Sequence, residues 1–118
     1  MHSRTDSAPG GEGHVIDHFS KEALKAYLTH FDKAYKGHRV KSLRAYFNDS
    51  YEVDDASGES NWTEDFLDEF EKHRGYDLRE HLPQLLGPPS DTGLRVLCDY
   101  RETISDLLLE EFTEVWGD

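Results

Sequence analysis

Hydrophobic residues recur at helical spacing in the segment between Ser20 and Gly37. This period predicts an amphipathic helix whose apolar face packs against the rest of the protein. Ser20 can cap the start of the helix through its hydroxyl, and Gly37 can close its end in a left-handed conformation. The apolar positions, which are separated by four, three and four residues, are Leu24, Leu28, Phe31 and Tyr35.

Two further helices are predicted in the second half of the chain. Thr63 can cap the first of them, which carries Phe66 and Phe70 on its inner face and stops at Gly75. The second runs from about residue 94 to residue 116 and carries a wide apolar stripe. Between them, Asp77 can cap a short helical turn that Pro83 interrupts, and the segment "GPPSDTG" is a clear break.

Residues 42–48 follow a different pattern, in which Leu43, Ala45 and Phe47 occupy every second position. This alternation predicts a β-strand, and the short apolar segment "HVIDHF" at residues 14–19 can form the end of another. Two strands joined through a helix would be a βαβ unit, which needs further parallel strands and covering helices. The pattern therefore predicts part of an α/β fold, rich in helix, with one or two short parallel strands.

Composition and charge narrow the classes of function. The chain has 118 residues and a formal net charge of −12, which argues against nucleic acid or an anionic membrane as partner. No apolar run reaches the ~18 residues of a membrane-spanning helix. Residues 1–13 contain no signal-peptide core and are expected to form a mobile tail, so the sequence leaves the compartment unknown.

The end of the predicted strand is the strongest candidate site. Asn48 and Asp49 begin a run of polar and aromatic residues that includes Glu52. In α/β barrels the chemistry is located where strands end, and burial there can raise the pKa of a carboxyl group. Trp62, further along, can supply a stacking surface for a sugar ring. A solvated polar loop is the alternative explanation.

Other candidate sites are weaker. His14, Asp17 and His18 have spacings that resemble those of metal ligands, but no further ligand group is evident and the HExxH motif is absent. No metal site is therefore predicted. The single cysteine, Cys98, lies in a helical pattern and is predicted to be a packed core thiol.

Four blocks of sequence together resemble the catalytic module of the alpha-L-rhamnosidase family of glycoside hydrolases. They are "GGEGHVIDHFSKEALKAYL", "FNDSYEV", "WTEDFLDEFEKHRGYDLREHLPQLLG" and "DYRETISDLLLEEF". The resemblance implies a (β/α)8 TIM barrel, hydrolysis of terminal rhamnose with inversion by two carboxylates, and a carbohydrate substrate. It also implies calcium near the sugar and, in bacteria, a secreted or periplasmic location.

The resemblance assigns roles to the strand-end residues. Glu52 matches one catalytic carboxylate, whether acid or base, and Asn48, Asp49 and Trp62 are expected to line the sugar subsite. A TIM barrel takes about 250 residues, so residues 14–118 are expected to form only part of a catalytic domain. The second carboxylate is expected outside this chain, which alone should be inactive. The alternative is a small acidic helical domain that binds a partner protein without catalysis.

Overall fold

The computed structural model describes residues 16–38, 44, 45, 47 and 61–117, and all regular secondary structure among them is helical. Residues 36–65 lie between the first and second helices in the sequence, and the later helices are joined by short turns. We number the α-helices in chain order. The elements are α1 (Lys21–Tyr35), α2 (Phe66–Arg74), a 3₁₀ turn (Leu78–His81), α3 (Leu82–Leu86), α4 (Asp91–Leu107), a π-helical segment (Leu108–Thr113, the π segment) and α5 (Glu114–Gly117).

Helix α1 begins and ends as the sequence predicts. The Ser20 hydroxyl accepts a hydrogen bond of 3.3 Å from the backbone N–H of Ala23. Gly37 follows the helix with a φ of 85°, a conformation that favours glycine. Only the first part of the predicted apolar face is buried, however: Leu24 is fully buried, whereas Phe31 is 41% exposed.

The core is formed by α2, the 3₁₀ turn and α4, together with the residue that precedes Ser20. Its buried members are Phe19, Phe66, Phe70, Leu78, Val96, Ile104 and Leu107. Helix α2 stops at Gly75 as predicted, and this glycine caps it in a left-handed conformation with a φ of 79°. The role predicted for Thr63 is wrong: α2 begins after Asp65, and the Thr63 hydroxyl donates to Asp17 instead of capping the helix.

Arg74, at the end of α2, holds this helix against α4. Its guanidinium donates to the hydroxyl of Thr103 at 3.0 Å and to the carboxylates of Glu102 and Asp106. Thr103 is fully buried and donates in turn to the backbone carbonyl of Asp99. Because the fork of Arg74 satisfies three acceptors on successive turns of α4, it fixes the register between the two helices.

Helix α4 approaches α3 through a glycine. A Cβ atom built on Gly93 would lie 2.5 Å from the carbonyl oxygen of Gln84, closer than any side chain tolerates. The Ser90 hydroxyl caps α4 by accepting from the N–H of Gly93 at 3.0 Å. Small size at Gly93 therefore sets how closely the two helices pack.

The prediction of an α/β fold with parallel strands from a TIM barrel is wrong for the described residues, which contain no strand. Of the predicted strand 42–48, Arg44, Ala45 and Phe47 are described, and Phe47 is 86% exposed. Its other residues, like the predicted tail 1–13, lie outside the described residues. A strand requires a hydrogen-bonded neighbour, and an alternation over a few residues does not show that one exists.

Two predictions about α4 also differ from the structure. Cys98 is exposed, because the buried positions Val96, Thr103 and Leu107 lie on the opposite side of the helix. The long helix predicted from residue 94 begins earlier, at Asp91, and passes through the π segment. No helix in the described ranges is both long and apolar enough to cross a membrane.

Candidate functional site

The structure describes one of the four predicted site residues. Asn48, Asp49 and Glu52 lie outside the described residues, and their roles stay predictions. Trp62 lies in the turn that leads into α2. The described part of the candidate site therefore consists of the residues around Trp62, which packs on the core residue Phe66.

Trp62 lies at the surface on an aromatic support. Its side chain is 42% exposed and stacks on Phe66, with ring centroids 4.8 Å apart and planes inclined by 30°. Phe66 is fully buried and packs in turn against Tyr100 at 5.0 Å. One side of the indole is thus held by the core, and the remainder is accessible to a ligand with an apolar face.

Two hydrogen bonds hold the residues on either side of Trp62. The hydroxyl of Tyr100 donates to the backbone carbonyl of Asn61 at 2.7 Å, and burial raises the pKa of Tyr100. The hydroxyl of buried Thr63 donates to Asp17 at 2.6 Å. Because both neighbours are tied to other parts of the chain, the indole is positioned before any ligand binds.

Asp17 has a structural role in this arrangement. One carboxylate oxygen accepts from Thr63, and the other accepts from the backbone N–H of Phe19 at 2.9 Å. The ring of His18 packs against Phe112 with centroids 4.7 Å apart, and His14 lies outside the described residues. Asp17 and His18 thus each have a contact partner elsewhere in the described part of the chain.

No group of three His, Cys, Asp or Glu side chains in the described part of the chain is placed to hold a metal ion. Calcium takes six to eight oxygen ligands, and the described residues alone supply no such cluster of carboxylates. The calcium site stays a prediction for the rest of the protein.

A second polar cluster surrounds His73 on the side of α2 that faces α4 and the π segment. Its Nε2 lies 3.6 Å from carboxylate oxygens of Glu69 and Glu110, and its Nδ1 lies 3.8 Å from Asp106. Arg74 also pairs with Asp106. The sequence places Glu69 four residues before His73, and Asp106 four before Glu110, but only the packing of α2 on α4 brings the two pairs together. The cluster therefore links α2 to α4 and to the π segment.

Comparison with known proteins supports the resemblance found in the sequence. The sequence model of a family described as alpha-L-rhamnosidase matches residues 3–118. A protein of Formosa agariphila named putative beta-glucuronidase is 45% identical over 110 residues, which are 87% of this chain and 9% of that protein.

A solved structure agrees with both matches. The structure of a rhamnosidase from Novosphingobium sp. PP1Y superposes with a TM-score of 0.76 at 36% identity, over 98% of this chain and 12% of that chain. The chain thus spans only a small part of the length of both relatives. Because the family model covers nearly all of it, the chain belongs to the alpha-L-rhamnosidase family of glycoside hydrolases.

Proposed function

We propose that this chain forms part of the catalytic module of a glycoside hydrolase that removes terminal rhamnose from a carbohydrate. The observation that carries the proposal is the match of the family model to residues 3–118. The similarity to the Novosphingobium rhamnosidase extends it to three dimensions, with a TM-score of 0.76. Helical packing around α2 and α4 would then serve to position the residues that touch the sugar.

In this proposal Glu52 is one carboxylate of the catalytic pair. Inverting hydrolysis uses one carboxylic acid to protonate the leaving oxygen and one carboxylate to activate water, about 6.5–9.5 Å apart. The second member of the pair would come from a part of the catalytic module outside this chain. Asn48 and Asp49 would bind hydroxyl groups of the sugar.

Trp62 would contribute the apolar contact of the same subsite. Its indole is supported by Phe66 and remains 42% exposed, which suits stacking against the C–H face of a pyranose ring. The turn that carries it is held by Tyr100 and Thr63. Trp62 would thus present a supported apolar surface to the sugar.

The test uses a chimera in which this chain replaces the matching segment of the Novosphingobium rhamnosidase. We expect the chimera to hydrolyse an aryl α-L-rhamnoside, and the isolated chain to give no turnover above buffer. Glu52→Gln keeps the size of the side chain and removes its ability to exchange a proton. It should lower kcat by about 10²–10⁴-fold.

The control is Glu64→Gln, which changes an exposed carboxylate just before α2 and should leave kcat unchanged. An unaltered kcat in the Glu52→Gln chimera would remove Glu52 from the catalytic pair. Turnover by the isolated chain that disappears with Glu52→Gln would show that a complete site is present here. An aryl β-glucuronide is the second substrate to assay, because the Formosa relative is named as a putative beta-glucuronidase.

A further inference from the structure

The two neighbours of Trp62 in the chain are held by residues that lie far away in the sequence. The backbone carbonyl of Asn61 accepts from the hydroxyl of Tyr100 at 2.7 Å, across 39 positions. The hydroxyl of Thr63 donates to Asp17 at 2.6 Å, across 46 positions. The exposed indole is thus carried by a backbone that α4 holds on one side and the segment before α1 holds on the other.

Tyr100 reaches Trp62 by a second route, through the core. Its ring packs against Phe66 with centroids 5.0 Å apart, and Phe66 stacks on the indole at 4.8 Å. One side chain of α4 therefore contacts both the backbone that precedes Trp62 and the ring that supports it. Because Arg74 fixes the register between α2 and α4, the position of Tyr100 relative to Phe66 is fixed as well.

The contact between Thr63 and Asp17 is shielded from water. Thr63 is 7% exposed, so water does not readily replace Asp17 as the partner of its hydroxyl. The second carboxylate oxygen of Asp17 accepts from the backbone N–H of Phe19, a core residue. The carbonyl of Thr63 accepts from the N–H of Phe66 at 3.2 Å. The residue after Trp62 is therefore joined to two parts of the core.

We propose that Tyr100 and Asp17 are positioning residues of the sugar subsite, which set its affinity for the carbohydrate by holding Trp62 from either side. The proposal rests on the proposed function, in which the indole stacks on a pyranose ring. Neither residue has to touch the sugar, because each acts on the backbone or the ring next to Trp62. An indole that is already held in place loses little conformational freedom when the ligand binds, so less of the contact energy is spent on ordering it.

The kinetic signature of this role is a change in KM. Stacking on a face of the sugar that does not react holds the substrate and the transition state about equally, and loss of such uniform binding raises KM while kcat is unchanged. A role confined to stability would lower the fraction of folded protein and leave KM unchanged. A role in holding the segment that contains Glu52 would lower kcat instead.

The first experiment measures the motion of Trp62 in the 118-residue chain without a ligand. Trp116 is the only other tryptophan in the sequence, so a Trp116→Phe background makes Trp62 the single reporter. Tyr100→Phe removes one hydroxyl and keeps the ring on Phe66, and Thr63→Val breaks the contact with Asp17. We expect each to raise the amplitude of nanosecond motion in the fluorescence anisotropy decay of Trp62 by about twofold or more. An unchanged amplitude would overturn the proposal for the contact concerned.

A matched substitution separates this effect from a general loss of stability. Tyr76 is half-buried like Tyr100, and its hydroxyl also donates at 2.7 Å, but to Asp99. Tyr76→Phe should leave the anisotropy of Trp62 unchanged, and Thr63→Ser, which retains the hydroxyl, should keep the parent value. Equal gains in motion in Tyr76→Phe and Tyr100→Phe would show that the effect is global and would overturn the proposal.

The second experiment measures hydrolysis of the aryl α-L-rhamnoside by the chimera described above. Tyr100→Phe and Thr63→Val should each raise KM about threefold to tenfold, the range expected for one lost hydrogen bond, with kcat within about twofold of the parent. In a Trp62→Ala chimera the same substitutions should change KM by less than about twofold, because the residue through which they act is gone. An unchanged KM, a fall in kcat alone, or an equal rise in KM with and without Trp62 would overturn the proposal.

The two experiments separate the positioning role from the proposed function. No turnover of the rhamnoside by the unsubstituted chimera would count against the proposed function. The anisotropy of the isolated chain does not depend on that activity, so it would still decide whether Tyr100 and Asp17 hold Trp62.

Discussion

Helices α2 and α4 form a packed unit, and its apolar pattern is of the same kind as that of α1. The side chains at these apolar positions differ in burial. In α2, Phe66 and Phe70 recur at a spacing of four residues and are fully buried. In α1, Tyr27 and Phe31 recur at the same spacing and are each 41% exposed. An amphipathic period therefore predicts a helix and its apolar side, whereas burial depends on whether another element lies opposite.

The two regions also differ in charge. Residues 21–36 contain four lysines and two carboxylates, whereas residues 61–117 contain fourteen carboxylates and five lysines or arginines. The packed unit therefore carries most of the negative charge of the protein, whereas α1 is net positive. Lys21 and Lys25 of α1 line the same surface groove as Glu110 and Glu114, so long-range attraction favours the observed position of α1 on the π segment and α5.

The largest predicted effect tests the contrast in burial directly. Phe70→Ala empties a fully buried position in the core and should lower the free energy of unfolding by about 3–5 kcal/mol. Phe31→Ala, the matched change in α1, should lower it by less than about 1 kcal/mol. Urea unfolding of the isolated chain, followed by tryptophan fluorescence, measures both. Equal losses would show that the isolated chain buries Phe31 as well as the core.

A smaller effect is expected at the contact between α3 and α4. Gly93→Ala places a methyl group 2.5 Å from the carbonyl oxygen of Gln84, which forces the two helices apart and should cost about 1–3 kcal/mol. Gly117→Ala is the control, because its methyl group meets no atom within 4 Å. If Gly93→Ala matched the control in urea unfolding, close packing between α3 and α4 would not stabilise the packed unit.

The smallest effect is expected at alkaline pH. Burial, followed by the hydrogen bond of 2.7 Å to Asp99, raises the pKa of Tyr76 to about 12, against about 10 for an unfolded chain. The native state therefore binds this proton more tightly, so stability from Tyr76 is present below pH ~10 and is lost as the pH rises towards 12. Tyr76→Phe should flatten this decline in the urea midpoint.

Tyr27→Phe controls for the loss of a hydroxyl in α1. A decline between pH 10 and 12 that is as steep in Tyr76→Phe as in the parent chain would assign the alkaline loss to other groups. A flattened decline confined to Tyr76→Phe would assign the alkaline loss of stability to Tyr76. This residue lies in the loop after α2, and its hydroxyl donates to Asp99 of α4.

Local signals in the sequence predict the helix ends well. Ser20 caps α1, Asp77 accepts from the N–H of Arg79 at the start of the 3₁₀ turn, and Gly75 ends α2 in a left-handed conformation. Each of these roles involves atoms within a few residues of one another. The chain can therefore satisfy them whatever the rest of the fold does.

Features that depend on distant parts of the chain are predicted poorly. Thr63 has the residue type of a cap, but Asp17, 46 positions away, takes its hydrogen bond. Cys98 fits an apolar helix pattern yet lies on the exposed side, because the position of α2 decides which side of α4 is buried. The strand predicted at residues 42–48 depended on a partner strand that the described residues do not contain.

The candidate site shows the same division. The four blocks of sequence together indicate the family, which the comparisons confirm. They name Trp62 as a sugar contact but give no sign that Phe66 and Tyr100 support its ring. That support depends on packing between α2 and α4, which the spacing of residues in the sequence does not predict.

The π segment has a consequence for how the last helix is used. A π turn contains one more residue than an α turn, so the phase of the helix after Leu108–Thr113 is displaced by about one residue, or roughly 100°. Before the segment, Leu107 faces the core around Phe70. Within it, Phe112 meets His18, and its ring stacks with Trp116. One additional residue thus changes the relative direction of the side chains before and after the π segment. A nearly continuous helix can therefore contact the core through Leu107 and His18 through Phe112.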